Sequence, residues 1–357
     1  MKNKFIFLSA ILFLFSLFSF SCSSAIYDIA YPTLNDGKYD SEFPYRNCSQ
    51  QLEEINKSVK LISCIAFYES YIFDISSNIK LNDLNENVML NRSADRTFFE
   101  STESGTATVI YYGKGYTALL TCSHIIDFPD TVVSYFTTEL GNTTDIVQSI
   151  SIKTKQKNYL PEAPTVGEFE IILNDRQLDA AIIGLKTNSE EAKHLPVLRY
   201  PLGAAKELEW GSFVYIFGYP LNYKMVSKAI VSNPKRDRKG SFLLDAVFNR
   251  GFSGGIVLAV RDGVPNFEVV GMVRSVPAEF QSSLVPEKLK DNLNYNPRIP
   301  YTGQFFVERR MTINYGITTV VSIEAILEFI ESNEDLLEAR RIFIKEELGS
   351  EKINFPK

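Results

Sequence analysis

Between Thr106 and Val273 the chain is a succession of short runs rich in β-branched and aromatic residues, each closed by turn residues. The runs are Thr106–Tyr112, Thr117–Cys122, Thr131–Thr137, Asp145–Lys153, Ala180–Leu185, Phe213–Gly218, Lys228–Ser232, Phe242–Asp245, Gly255–Val260 and Val269–Val273. A single short strand cannot satisfy its own backbone or bury a face, so such segments must pair with one another. Their number and spacing predict an all-β barrel or sandwich. Apolar residues at 45% and charged residues at 22% suffice for a buried core. A formal net charge of −6, with no long basic run, argues against nucleic acid as a partner.

The flanks of this region read differently. Lys2 and Lys4 precede an apolar run from Phe5 to Phe20, too short for a comfortable membrane span. Residues 1–21 therefore read as a secretory signal. The run ends in Ser19-Phe20-Ser21-Cys22, which resembles a relaxed bacterial lipobox with Ser19 where Leu is usual. Lipidation of Cys22 would anchor the protein to a membrane surface without spanning it. Residues 22–57 read as a polar tether with a short helix from Gln50. Residues 75–97 are an Asn-rich loop insertion, and residues 277–311 form a second insertion containing Pro and Asn. Ile323, Ile326, Leu327 and Ile330 predict a helix over Ser322–Ser332, with Ser322 as N-cap. Residues 336–357 read as a charged helical tail.

Beyond Cys22, the remaining cysteines are Cys48, Cys64 and Cys122. In an exported chain two of them can pair, or all three can remain buried thiols. No CxxC or paired Cys/His spacing predicts zinc.

Three residues carry candidate chemistry. Ser253 lies in Asn249-Arg250-Gly251-Phe252-Ser253-Gly254-Gly255, where glycines permit a tight bend around an exposed hydroxyl. The chain holds only two histidines. His124 ends an apolar strand, whereas His194 sits in a polar stretch. Asp179 opens the apolar run Ala180–Leu185. A serine hydroxyl needs a base, and an imidazole base needs a carboxylate to fix its tautomer. Taken singly, each residue also has a structural reading: a hairpin turn, a strand-end histidine and a strand-end cap.

The order His, Asp, Ser changes that balance, because it resembles the chymotrypsin-like serine proteases and in particular the bacterial HtrA (Deg) branch. Thr121–Ile126 resembles the TNAHV segment of that branch, Leu178–Ile182 its D-[LI]-A-[LV] segment, and Asp245–Gly255 its TDAAINRGNSGG segment. Gly105–Thr108, Trp210–Ser232 and Tyr315–Ile317 resemble further segments in the same order. The resemblance spans roughly residues 58–332, and the expected protease domain is 58–335. It implies two six-stranded antiparallel β-barrels with a C-terminal helix and long loop insertions.

It also implies roles. Ser253 is the nucleophile, His124 the base and Asp179 its orienting carboxylate; the Gly251 and Ser253 N–H groups form the oxyanion hole. Val247, Phe248, Val273 and Arg274 line the substrate pocket, and no cofactor or metal is needed. Val247 occupies the position where trypsins carry an Asp, so a small or medium aliphatic P1 residue is expected and Arg or Lys is not. Phe252 departs from the family, which has Asn or Asp before the nucleophile. Arg274 departs too, standing where a small Ser or Thr is usual near the triad Asp. The residues after Ser253 leave no room for a PDZ domain, so no PDZ-mediated partner is expected. The resulting expectation is a cell-envelope lipoprotein, on the periplasmic or surface face of a bacterial membrane, acting as a serine endopeptidase on exported polypeptides. The alternative is a catalytically degenerate protease-fold lipoprotein serving as a surface binding or adhesion module.

Overall fold

The computed structural model of the protein describes residues 36–42, 46–138, 142–163, 167–188, 190, 193–237, 240–246, 249–275, 278–286, 298, 305–313 and 316–344. The signal segment, Cys22, Val247 and Phe248 lie outside these residues.

Two large antiparallel β units carry the core among the described residues. The first is a seven-stranded sheet built from β1 (Val59–Ile72), β2 (Asp95–Gly113), β3 (Tyr116–Thr121), β4 (Thr131–Thr137), β5 (Thr143–Tyr159), β6 (Glu170–Asp175) and β7 (Ala180–Lys186). Its order is β4-β5-β1-β2-β3-β7-β6. The second is a closed barrel of six strands: β8 (Phe213–Gly218), β9 (Met225–Asn233), β10 (Phe242–Asp245), β11 (Ile256–Val260), β12 (Phe267–Ser275) and β15 (Ile317–Ser322). The all-β, two-unit architecture expected from sequence is therefore present. The second unit is the closed six-stranded barrel and the first is a seven-stranded sheet, in keeping with the expected double-barrel fold. One apolar core runs through both units, from Ile62, Leu119 and Ile182 to Tyr215, Phe217 and Phe267.

Burial follows the sequence pattern. Along β1 buried and half-buried residues alternate, as in a strand with one face on the core. The unbroken apolar runs of β7, β8 and β11 are buried almost throughout, with only Lys186 exposed. Lys114-Gly115 closes the β2–β3 hairpin with φ positive at both residues, the geometry that suits the twist of paired strands. In the barrel, Phe213 and Tyr215 meet edge to face at 5.1 Å and Tyr215 meets Phe267 at 5.6 Å. Each such pair adds about 0.5–1.5 kcal/mol beyond the area it buries.

The insertions have more structure than their composition suggests. Within 75–97, helix α1 (Glu86–Arg92) forms, and β2 begins at Asp95. Val88 and Met89 of this helix close a small separate core over Tyr71, Phe73, Ile79, Val147 and Ile150. The 277–311 insertion carries β13 (Ala278–Pro286) and β14 (Phe305–Ile313), paired antiparallel. The predicted C-terminal helix is present over Ile323–Glu331, with the Ser322 side chain accepting from the Ala325 N–H. Within the described residues the charged tail is helical over Glu334–Ala339 and again at Ile344. Its apolar Leu337, Ile342 and Ile344 are buried in the core. Among the described residues no helix is long and apolar enough to cross a membrane.

Part of the expected tether also docks. The Tyr39 hydroxyl donates to Glu268 at 2.7 Å, and the Arg261 guanidinium lies 4.1 Å from the Tyr39 ring centroid. Asp40 is buried beside them, with its backbone bonded to Val260 and Phe213 and its carboxylate accepting from the Gly263 N–H at 3.0 Å. Burial, reinforced by Glu42, Asp262 and Asp36, raises the Asp40 carboxyl to about 6. A carboxyl raised in the folded state favours folding while it is protonated, and that contribution is lost as pH rises through about 6. Asp40→Asn is therefore expected to raise Tm relative to wild type at pH 7.5. The difference should disappear at pH 4, as thermal melts across this range will show.

Candidate functional site

Strand β3 delivers His124. The strand is buried up to Cys122, and the next four residues, Ser123–Ile126, make a single helical turn. Ile125 and Ile126 are buried and anchor that turn, while the intervening His124 side chain stays 44% exposed. Asp179 arrives from the neighbouring strand, since β3 and β7 pair with Thr121 opposite Ala181. The Asp175 carboxylate accepts from the N–H groups of Gln177 (2.8 Å) and Leu178 (2.9 Å), bending the chain just before Asp179. Asp179 itself has φ +61, a left-handed conformation that Asp tolerates better than most residues. Arg176 pairs with Asp127 and ties this bend to the end of the His124 turn.

The carboxylate and imidazole meet closely. Asp179 Oδ1 accepts from the His124 backbone N–H at 2.9 Å, and Oδ2 lies 2.9 Å from His124 Nδ1. That contact assigns the Nδ1–H tautomer and leaves Nε2 as the proton-accepting nitrogen. Arg274 also approaches, with Nε 3.6 Å from Asp179 Oδ2 and Nη2 donating to the Gln177 carbonyl at 3.4 Å. The carboxylate thus lies between an imidazole and a guanidinium.

The barrel supplies Ser253 on the turn between β10 and β11. Every carbonyl from Asn249 to Ser253 accepts a hydrogen bond. Asn249 accepts from the Phe252 N–H, Arg250 from Leu221, Phe252 from Gly255 and Ser253 from Thr106. The Gly251 carbonyl accepts from the Thr106 hydroxyl at 2.6 Å. The Gly251 and Ser253 N–H groups, by contrast, have no protein acceptor among the described residues. Two glycines allow this shape. Gly251 has φ +103, and a Cβ there would stand 2.1 Å from the Tyr219 carbonyl oxygen. Gly254 has φ +82, and its Cβ would stand 1.9 Å from the Thr106 carbonyl oxygen.

Other expected site residues fall as follows. Phe252 is 3% exposed and turns inward, its ring packed against Gly218. It is a core side chain beneath the turn, and the Gly251 peptide above it is held by Thr106. Val273, expected at a substrate pocket, has no exposed surface; its side chain belongs to the core and its carbonyl accepts from Gly254. Cys48, Cys64 and Cys122 are all buried free thiols. Cys122 Sγ contacts the Val273 carbonyl at 3.2 Å, and burial together with the nearby Asp179 charge pushes its thiol up. Thr106 is the residue that sequence reasoning missed. It bonds across 145 residues of chain, and only its place in a family-like segment hinted at its importance.

The trypsin-like peptidase domain family matches residues 105–272. No functionally curated protein matches the sequence. Among solved structures, the crystal structure of the serine endoprotease from Yersinia pestis is similar at 17% identity and a TM-score of 0.39. The similarity covers 84% of this chain and 70% of that one.

The turn geometry makes a quantitative prediction. Gly254→Ala is expected to destabilise the protein by more than about 1 kcal/mol in urea unfolding, through positive φ and the clash with Thr106. Gly37→Ala carries only the φ penalty, because no atom lies within 4 Å of the added carbon. The difference between the two variants measures the clash.

Proposed function

We propose that this chain, whose residues 105–272 belong to the trypsin-like peptidase family, is a serine endopeptidase of exported polypeptides that uses Ser253, His124 and Asp179. Two observations support it: an imidazole bound by Asp179, and a serine turn whose carbonyls all accept hydrogen bonds.

In this reading Ser253 Oγ attacks the scissile carbonyl while His124 Nε2 takes its proton and passes it to the leaving amine. Asp179 keeps the imidazole in the Nδ1–H form and stabilises its positive charge. The Gly251 and Ser253 N–H groups donate to the developing oxyanion, usually the larger electrostatic contribution. Water then enters by the same proton path and releases the acyl group. The chemistry requires no cofactor. The sequence nominates Val247 and Phe248 for the P1 pocket, and in this reading an aliphatic P1 side chain is preferred. A leader over residues 1–21 and a lipid on Cys22 would hold the enzyme at a cell-envelope membrane, facing the periplasm or the exterior.

One observation favours a second reading. Arg274 lies 3.6 Å from Asp179 and competes with His124 for the carboxylate. A site disabled in this way would leave a surface binding module on a protease fold.

Labelling by a fluorophosphonate probe tests the proposal. Wild type is expected to label, and Ser253→Ala is expected not to. Asp179→Asn should label slower by about 10⁴-fold, because the imidazole then loses its tautomer control. A folded wild type that does not label, together with an Arg274→Ser variant that does, would establish the binding-module reading.

A further inference from the structure

We infer that Cys122, His124 and Asp179 form a regulatory site for a zinc-type divalent cation, and that its occupation switches the triad off. The second half rests on the peptidase reading above; the first does not. Cys122 Sγ, His124 Nδ1 and the Asp179 carboxylate all lie within 4.8 Å of one another. Zinc binds thiolate at about 2.3 Å, and imidazole and carboxylate at about 2.0–2.2 Å. Two donors on a tetrahedral zinc therefore stand roughly 3.4–3.6 Å apart. The imidazole and carboxylate need to open by only about half an ångström from their 2.9 Å contact, and the thiol needs to close by roughly 1.2–1.4 Å at most.

The donors suit that metal. One thiolate, one imidazole and one carboxylate favour zinc over the hard cations magnesium and calcium. The local fold brings them together simply. Cys122 is the last extended residue after β3, His124 lies one turn on, and β7 sets Asp179 alongside. No short motif betrays the site, because the third donor comes 55 residues after His124. His124 is exposed while Cys122 and Asp179 are buried, so the ion would sit at the inner edge of the imidazole.

Protons and charge balance. In the metal-free protein Cys122 keeps its proton and points it at the Val273 carbonyl. Metal binding releases that proton to solvent, and the His124 proton moves from Nδ1 to Nε2. Asp179 enters as a carboxylate, so Zn²⁺ with a thiolate and a carboxylate is neutral. Arg274 can leave Asp179 and keep its bond to the Gln177 carbonyl. The consequence for catalysis is direct. With Nδ1 on the metal and Nε2 protonated, His124 cannot take the Ser253 proton, and Asp179 no longer orients it.

The experiment uses the full-length chain with zinc chloride, and cobalt(II) as a spectroscopic substitute. Calorimetry is expected to show one zinc equivalent bound, and cobalt is expected to give a sulfur-to-metal charge-transfer band. Cys122→Ser, which keeps a donor to Val273, should lose the band and weaken zinc binding by about 100-fold. Cys122→Ala repeats the measurement should the serine variant not fold, and His124→Ala should weaken binding similarly. Zinc should slow fluorophosphonate labelling of wild type, with EDTA restoring it. Cys122→Ser should label at the wild-type rate with or without zinc. Wild type lacking the sulfur band, or Cys122→Ser as sensitive to zinc as wild type, overturns the inference. Sulfur-dependent metal binding in a wild type that never labels would leave this site standing and sink the peptidase reading instead.

Discussion

Thr106 is the fastening on which the rest of the site depends. Its backbone N–H donates to the Ser253 carbonyl at 2.8 Å, and its hydroxyl donates to the Gly251 carbonyl at 2.6 Å. The same hydroxyl accepts from the Tyr219 N–H at 2.9 Å, and the Thr106 carbonyl accepts from the Thr121 hydroxyl at 2.7 Å. One wholly buried residue of the first sheet thus binds the serine turn, the β8–β9 connection and the strand that carries His124. Buried bonds of this kind are costly to leave unmade, so the two units cannot shift relative to each other without losing several at once. The carbonyls of the serine turn face the protein because Thr106 and its neighbours hold them there, and the Gly251 and Ser253 N–H groups remain without acceptors among the described residues.

The glycines follow from that fastening. Gly251 and Gly254 are closely approached by the Tyr219 and Thr106 carbonyls, and a side chain at either would meet backbone. Phe252, between them, fills the space beneath the turn against Gly218. Phe252 is an apolar plug, and the turn is kept in shape by hydrogen bonds from β2. Arg274 is the remaining departure. It shares the Asp179 carboxylate with the imidazole, both approaching Oδ2.

Much of this was legible in the sequence. Short β-branched runs gave the strands, because alternation and length are local properties. The Ser322 cap and the Ile323–Ile330 spacing gave the C-terminal helix. His124 and Asp179 were recognisable from their strand ends and their order, and they do meet. What escaped was set by distant contacts. The Asn-rich 75–97 segment read as loop, yet Val88 and Met89 find a core only once β1 and β5 are paired beneath them. The tail read simply as charged and helical, but Leu337, Ile342 and Ile344 fit gaps in a core assembled from elsewhere. The polar stretch around Tyr39 and Asp40 docks on Arg261, Gly263 and Glu268, more than 200 residues away. Cys122 read as one of three equivalent thiols, and only the pairing of β3 with β7 sets it beside Asp179.

The most direct measurement is the labelling rate of Thr106→Val by a fluorophosphonate, alongside its urea unfolding curve. Valine keeps the volume and the backbone bond to Ser253 while removing the hydroxyl that holds Gly251. The account predicts a folded protein whose Ser253 labels about 100-fold more slowly than wild type, the scale expected when an oxyanion donor is lost. A folded Thr106→Val that labels at the wild-type rate would contradict it, because the serine turn would then owe its shape to something other than Thr106.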